Sequence, residues 1–135
     1  MDTFADHQYC VDRLLKEYRR HPRLIIAVDF DDTVFPWTFQ DSDHSEILQL
    51  VRDCQSINFY IVCWTASDPS RYEMIEKYFL GSGIRLDSIN KNPIKLPFGN
   101  NGKIYYNILL DDRAGLASAA SILREVVDII KREKP

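Results

Sequence analysis

The strongest constraint in this sequence is a buried-strand pattern that runs directly into clustered negative charge. The stretch LIIAVDFDDT begins with five apolar residues and then places carboxylates at Asp29, Asp31 and Asp32. An uninterrupted apolar run is typical of a central parallel strand that is covered on both faces. Carboxylates that leave water without partners cost free energy and repel one another. We therefore expect the fold to supply a compensating charge or ligand beside them.

Apolar periodicity predicts that helices and strands alternate along the chain. A capping box at Thr3 and Asp6 predicts a first helix that ends near Arg20. The predicted strands are residues 23–30, 57–65, 86–89 and 103–110, and the later helices precede residue 57, follow Ser67 and span 114–133. In the helix after Ser67, the residues predicted to face the core are Met74, Ile75, Tyr78 and Phe79. This alternation predicts a three-layer α/β/α fold with a parallel, Rossmann-like sheet.

Composition is that of an ordinary globular protein. The 135 residues are 45% hydrophobic and 27% charged, which is enough for one core, so we expect a single domain over 1–135. A net charge of -3 provides no positive field for nucleic acid or an anionic membrane, and no apolar run could cross a bilayer. Three cysteines without CxxC spacing and an N-terminus without a secretory pattern predict a cytoplasmic location. The sequence does not indicate the oligomeric state.

The carboxyl ends of the predicted strands carry polar side chains suited to chemistry. Ligands of such sheets bind beyond these ends, where the strand order reverses. The first strand delivers Asp29 and Asp31, the second delivers Thr65, and the last delivers Asp111 and Asp112. Two carboxylates about 4 Å apart repel by roughly 4 kcal/mol at an effective dielectric constant of about 20, so several pairs require either a divalent cation or strong protonation. Because all candidate ligands are hard oxygen atoms, the set favours Mg²⁺ over zinc or iron.

Three of these segments resemble motifs of the haloacid dehalogenase-like (HAD) superfamily of phosphotransferases. DFDDT fits its DxDx[TV] motif, IVCWTA resembles its second motif, and NILLDDR resembles its fourth, in the expected order between residues 24 and 113. The resemblance implies a small, capless HAD-like phosphatase domain. It further implies a Mg²⁺-dependent phosphohydrolase that cleaves a small phosphomonoester through an aspartyl-phosphate intermediate.

The resemblance also implies a role for each matched residue. Asp29 would be the nucleophile, and Asp31 would be the general acid and then the general base. Thr65 would donate a hydrogen bond to a phosphoryl oxygen. Asp111 and Asp112 would bind Mg²⁺ together with the Asp29 carboxylate and the backbone carbonyl of Asp31.

The family's third motif is a lysine that neutralises the phosphoryl charge. Lys103 begins the strand that ends at Asp111, more than about 20 Å from the metal at roughly 3.3 Å per residue, so we reject it. Lys95 and Lys91 both lie in the loop over 90–102, and Lys95 fits the usual spacing better. A solvated loop lysine is an equally good interpretation of either residue.

Residues 34–45 leave room for a short flap rather than a cap domain. Phe35, Trp37 and Phe39 alternate as they would in a short strand. They either pack on the body of the domain or form a hydrophobic wall for an aromatic leaving group. Together with LLDDR, this segment resembles deoxyribonucleotidases, so a nucleotidase acting on (deoxy)nucleotides is an alternative function.

Other classes of protein fit less well. A receiver domain would need an aspartate after the third strand and a lysine after a fifth, and an EF-hand loop would need glycine where Val34 stands. A catalytically silent module that binds phosphate or metal on the same fold is the second alternative. Such a module would be expected to lack Asp29 or Asp31, and both are present.

Overall fold

A parallel sheet of four strands forms the centre of the computed structural model, which describes residues 6–95 and 105–134. The strands are β1 (Ile25–Val28), β2 (Tyr60–Cys63), β3 (Ser88–Ile89) and β4 (Ile108–Leu110). Their order in the sheet is β3-β2-β1-β4, and every neighbouring pair is parallel. The central strand β1 therefore lies between β2 and β4.

Four helices connect and flank these strands: α1 (His7–Arg20), α2 (Ser45–Ser56), α3 (Tyr72–Gly81) and α4 (Leu116–Glu133). The Asp6 side chain caps α1 by accepting a hydrogen bond from the backbone N–H of Gln8. A short 3₁₀ turn, Pro69–Arg71, precedes α3. The α/β alternation is consistent with a three-layer α/β/α, Rossmann-like arrangement, so the predicted fold class is confirmed. None of these helices is long and apolar enough to span a membrane.

The core explains why the strand residues are uniformly apolar. All four residues of β1 are buried, and side chains of successive residues point to opposite faces of the sheet. Ile26 and Val28 join a large cluster to which all four helices contribute, whereas Ile25 packs with Val62 in a small second cluster. The fully buried helix residues in the large cluster include Val11, Leu14, Val51, Cys54, Ile75, Phe79, Leu123, Val126 and Val127.

Several predicted boundaries and one core residue differ from the structure. Each strand is shorter than the predicted range; β4 begins only at Ile108, after the exposed Tyr105 and Tyr106. The prediction that Met74 faces the core is wrong, because its side chain is 38% exposed. Ile75 and Phe79, four residues apart, define the inner face of α3. Successive residues of a helix point in different directions, so Met74, the neighbour of Ile75, lies outside this face. Thr3 and Lys103 lie outside the described residues.

Candidate active site at the carboxyl ends of β1, β2 and β4

The β1–β4 pairing brings three aspartates together. Val28 of β1 pairs with Leu110 of β4, and the backbone N–H of Asp29 donates to the Leu110 carbonyl at 2.9 Å. The same register places Asp111 beside Asp29. Oxygen atoms from the carboxylates of Asp29, Asp111 and Asp112 lie within 4.8 Å of one another. The three carboxylates predicted to bind the metal therefore share one crevice, where the strand order reverses.

Thr33 lies between two of these carboxylates and is completely buried. Its hydroxyl oxygen is 3.0 Å from Asp29 Oδ2 and 3.2 Å from Asp112 Oδ1, and it accepts a hydrogen bond from the Asp112 N–H at 2.9 Å. A hydroxyl has one proton, so it donates to only one carboxylate at a time. Our sequence analysis gave Thr33 no role, although it is the last residue of the DFDDT motif.

The shared crevice raises the pKa of Asp29 to about 7, from an ordinary value of 3.8. Burial is the largest cause, followed by the negative charge of Asp111 and a hydrogen bond with the Asp112 side chain; the Thr33 hydroxyl acts in the opposite direction. The three carboxylates offer only oxygen atoms, the donor type that hard divalent cations prefer. Their chemistry and proximity therefore fit a hard divalent cation.

Asp31 points to a different partner from the other three aspartates. Both of its carboxylate oxygens accept hydrogen bonds from Arg71, at 2.8 Å from Nη1 to Oδ2 and 3.1 Å from Nη2 to Oδ1. Among the described residues, the three-carboxylate group does not include the Asp31 side chain. Sequence reasoning missed Arg71, because Arg71 lies 40 positions from Asp31 and nothing in its local sequence pattern indicates a contact with that residue.

Thr65 follows the end of β2 and is held by a side chain from the end of β3. Asn90 accepts a hydrogen bond from the Thr65 N–H at 2.8 Å and donates one to the Thr65 carbonyl at 2.7 Å. The Thr65 hydroxyl donates to Ser67 Oγ at 2.9 Å. Asn90 was also missed, although its positive φ of 54° is a conformation that asparagine tolerates better than most residues.

Asp32 anchors the flap in a strained conformation. Its φ is 64°, in the left-handed region that favours glycine. The Asp32 carboxylate accepts hydrogen bonds from the Trp37 N–H at 3.2 Å, the Thr38 N–H at 2.7 Å and the Thr38 hydroxyl at 2.6 Å. These bonds lower the pKa of Asp32, the Thr38 hydroxyl most strongly, and they offset the backbone strain.

The flap is not the short strand that its aromatic alternation predicted. Residues 37–41 form bends and turns, and the three rings take different positions. Phe35 packs between Phe30 and Tyr78, with ring centroids 4.9 Å and 5.1 Å away. Trp37 and Phe39 are 59% and 70% exposed. Packing on the body of the domain therefore explains Phe35 but neither of the other two rings.

The two lysine candidates lie on the surface. Lys95 and Lys91 are exposed in the loop after β3, and neither makes an ion pair with another described residue. The role of Lys95 stays a prediction. Within residues 6–95 and 105–134, Arg71 forms the ion pair with a candidate catalytic carboxylate, that of Asp31.

Comparisons with known proteins support the fold alone. No protein-family model and no curated protein matches the chain. The chain is similar to the solved structure of a conserved protein from Bacteroides thetaiotaomicron, with a TM-score of 0.61 and 17% sequence identity. The match covers 84% of this chain and 93% of that one. At this identity the similarity concerns the α/β architecture and not the chemistry of the site.

The raised pKa of Asp29 predicts how the stability of the metal-free protein depends on pH. The folded state holds the Asp29 proton up to about pH 7, whereas the unfolded chain releases it near 3.8. This group therefore contributes stability that is complete below its ordinary pKa and is lost as pH rises through about 7. In chelator, the free energy of unfolding measured by urea titration should fall more between about pH 5 and about pH 8 for wild type than for Asp29→Asn. An equal fall in both proteins contradicts the raised pKa.

Proposed function

We propose that this protein is a Mg²⁺-dependent phosphohydrolase that cleaves a phosphomonoester through an aspartyl-phosphate formed on Asp29. The observation that carries the proposal is the convergence of Asp29, Asp111 and Asp112 at the β1–β4 crevice. Asp31 and Thr65 follow the adjoining ends of β1 and β2 in the same sheet. Three motifs that resemble one superfamily thus meet at one edge, as a shared active site requires.

The chain's own residues suffice for the two proton-transfer steps. In the first, a carboxylate oxygen of Asp29 forms a bond to phosphorus, the bond to the leaving oxygen breaks, and Asp31 donates a proton to that oxygen. In the second, Asp31 takes a proton from the water that attacks phosphorus, and the Asp29 carboxylate leaves. The products are the free alcohol and inorganic phosphate, and Asp31 is protonated again.

Asp29, Asp111 and Asp112 are the residues that would hold Mg²⁺, and the resemblance adds the backbone carbonyl of Asp31. Mg²⁺ bound there supplies positive charge that offsets the phosphoryl group and the carboxylates. The Thr33 hydroxyl keeps two of them in place, because it can donate to Asp29 while it accepts a hydrogen bond from the Asp112 N–H.

Lys95 remains the proposed lysine of the third motif. A cytoplasmic location and the lack of a nucleic-acid partner remain predictions from composition.

The exposed flap rings favour a substrate whose leaving group contains a ring. The Arg71 guanidinium carbon lies 5.0 Å from the centroid of the Trp37 ring, and Arg71 also contacts Asp31. Because Asp31 would protonate the leaving oxygen, the leaving group must lie near this corner of the site. Trp37 and Phe39 would then offer apolar surface to an aromatic ring or a nucleobase. This observation supports the nucleotidase alternative.

Replacement of Asp29 and Asp31 by asparagine tests the proposed chemistry. With Mg²⁺ and a generic aryl phosphate, Asp29→Asn should abolish phosphate release, because the amide cannot act as the nucleophile. Asp31→Asn should slow release by roughly 10² to 10⁴-fold, the usual contribution of general acid-base catalysis. The measurement is the steady-state rate of phosphate release, and Asp12→Asn, an exposed carboxylate on α1, is the matched control.

Two outcomes would contradict this assignment. Equal rates for wild type and Asp29→Asn would show that Asp29 is not the nucleophile. If wild type releases no phosphate from a broad panel of phosphomonoesters, yet binds phosphate with the same affinity as Asp29→Asn, the protein is a silent binding module.

Mg²⁺ should raise the stability of the folded protein, because it relieves repulsion among carboxylates that converge only on folding. Linkage predicts a gain of about 2.7 kcal/mol at a concentration of about 100 times the dissociation constant. The midpoint of thermal unfolding should rise with Mg²⁺ for wild type and for Asp12→Asn, and much less for Asp112→Asn. A midpoint that Mg²⁺ leaves unchanged in wild type would argue against a metal site.

A further inference from the structure

Two nitrogen atoms of Arg71 donate hydrogen bonds to the carboxylate of Asp31. The two hydrogen bonds, 2.8 Å and 3.1 Å long, join Nη1 to Oδ2 and Nη2 to Oδ1, so the planar guanidinium fixes the plane of the carboxylate. The two side chains are only 26% and 28% exposed, unlike the well-solvated ion pair between Lys77 and Glu73. A bidentate contact of this kind determines orientation as well as distance.

Further contacts hold the guanidinium itself. Nη1 also donates to Ser67 Oγ at 2.6 Å, and Ser67 accepts the hydrogen bond from the Thr65 hydroxyl. The guanidinium carbon lies 5.0 Å from the Trp37 ring centroid and 5.7 Å from that of Phe30. Arg71 is thus braced by the flap on one side and by the segment after β2 on another. Asp31 and Thr65, which follow different strands, are linked through it.

From this geometry we propose that Arg71 is a positioning residue, which holds the Asp31 carboxylate in the orientation that proton transfer requires. The inference rests on the proposed phosphohydrolase function and adds a residue to it. A carboxylate has about four acceptor sites, of which the two bonds from Arg71 use two. One of the other two would hold the proton that Asp31 passes to the leaving oxygen, and would later receive the proton taken from the attacking water. Without Arg71, the side chain of Asp31 would rotate among several rotamers and would less often face the reacting atoms.

The test is a double-mutant cycle on turnover of an aryl phosphate with Mg²⁺. Arg71→Gln should lower kcat by roughly 10- to 100-fold, the scale expected for a misplaced catalytic group, with little change in KM. In the Asp31→Asn background the same change should have no further effect, because Arg71 acts through Asp31. Arg71→Lys, which keeps the charge but not the fork of donors, should give an intermediate kcat.

Arg124→Gln is the matched control, because Arg124 makes a comparably buried ion pair at 2.8 Å with Asp53 and not with Asp31. It should leave kcat and KM unchanged. Thermal unfolding of each variant tests whether it is folded at the assay temperature. If Arg71→Gln does not fold, Arg71→Lys replaces it in the double-mutant cycle.

Several results would overturn the positioning role. A rise in KM with unchanged kcat would mean that Arg71 binds substrate directly. Equal loss of kcat in the wild-type and Asp31→Asn backgrounds would mean that it acts independently of Asp31. In both cases the phosphohydrolase function stands, since wild type still turns over and Asp29→Asn does not. If wild type and Asp29→Asn release phosphate at equal rates, the proposed function is wrong, and so is the positioning role of Arg71.

Discussion

Repulsion among the carboxylates at the end of β1 and β4 is the constraint around which this structure is built. Asp29 and Asp111 follow adjacent parallel strands, so strand pairing itself forces their charges together. The cost appears in the pKa of Asp29, which burial and its neighbours raise to about 7. The fully buried strand β1 pairs with β4, in which Ile108 and Leu110 are buried, and this pairing keeps the charges in place. A divalent cation in the crevice would turn this cost into binding energy.

The aspartates at this edge of the sheet have three different sets of contacts. Asp29, Asp111 and Asp112 face one another. Asp31, two positions further along, faces Arg71. Asp32 turns outward with a positive φ and secures the flap. The positive φ of Asp32 lies in a turn that begins just past the strand. One short motif thereby supplies a candidate nucleophile, a candidate acid and the anchor of the flap.

The sequence predicted those features that follow from local pattern and from the topology of parallel sheets. Apolar runs located the strands, and the shared edge of the sheet located Asp29 and Asp111. Strand lengths were overestimated, because the predicted segments include flanking residues that do not belong to a strand, such as the exposed Tyr105 and Tyr106. Arg71 and Asn90 were missed since their importance depends on contacts across 40 and 25 positions of the chain. Local periodicity contains no information about such contacts.

The most direct test of this account is a crystal structure of the protein with Mg²⁺ and beryllium fluoride, which mimics a phosphoryl group on a carboxylate. We expect the fluoroberyllate to be bonded to a carboxylate oxygen of Asp29, with Mg²⁺ bound among Asp29, Asp111 and Asp112. Asp29→Asn should bind no fluoroberyllate under the same conditions. A wild-type structure in which the fluoroberyllate is absent, or is bonded to another residue, would contradict the central claim that Asp29 is a phosphoryl acceptor.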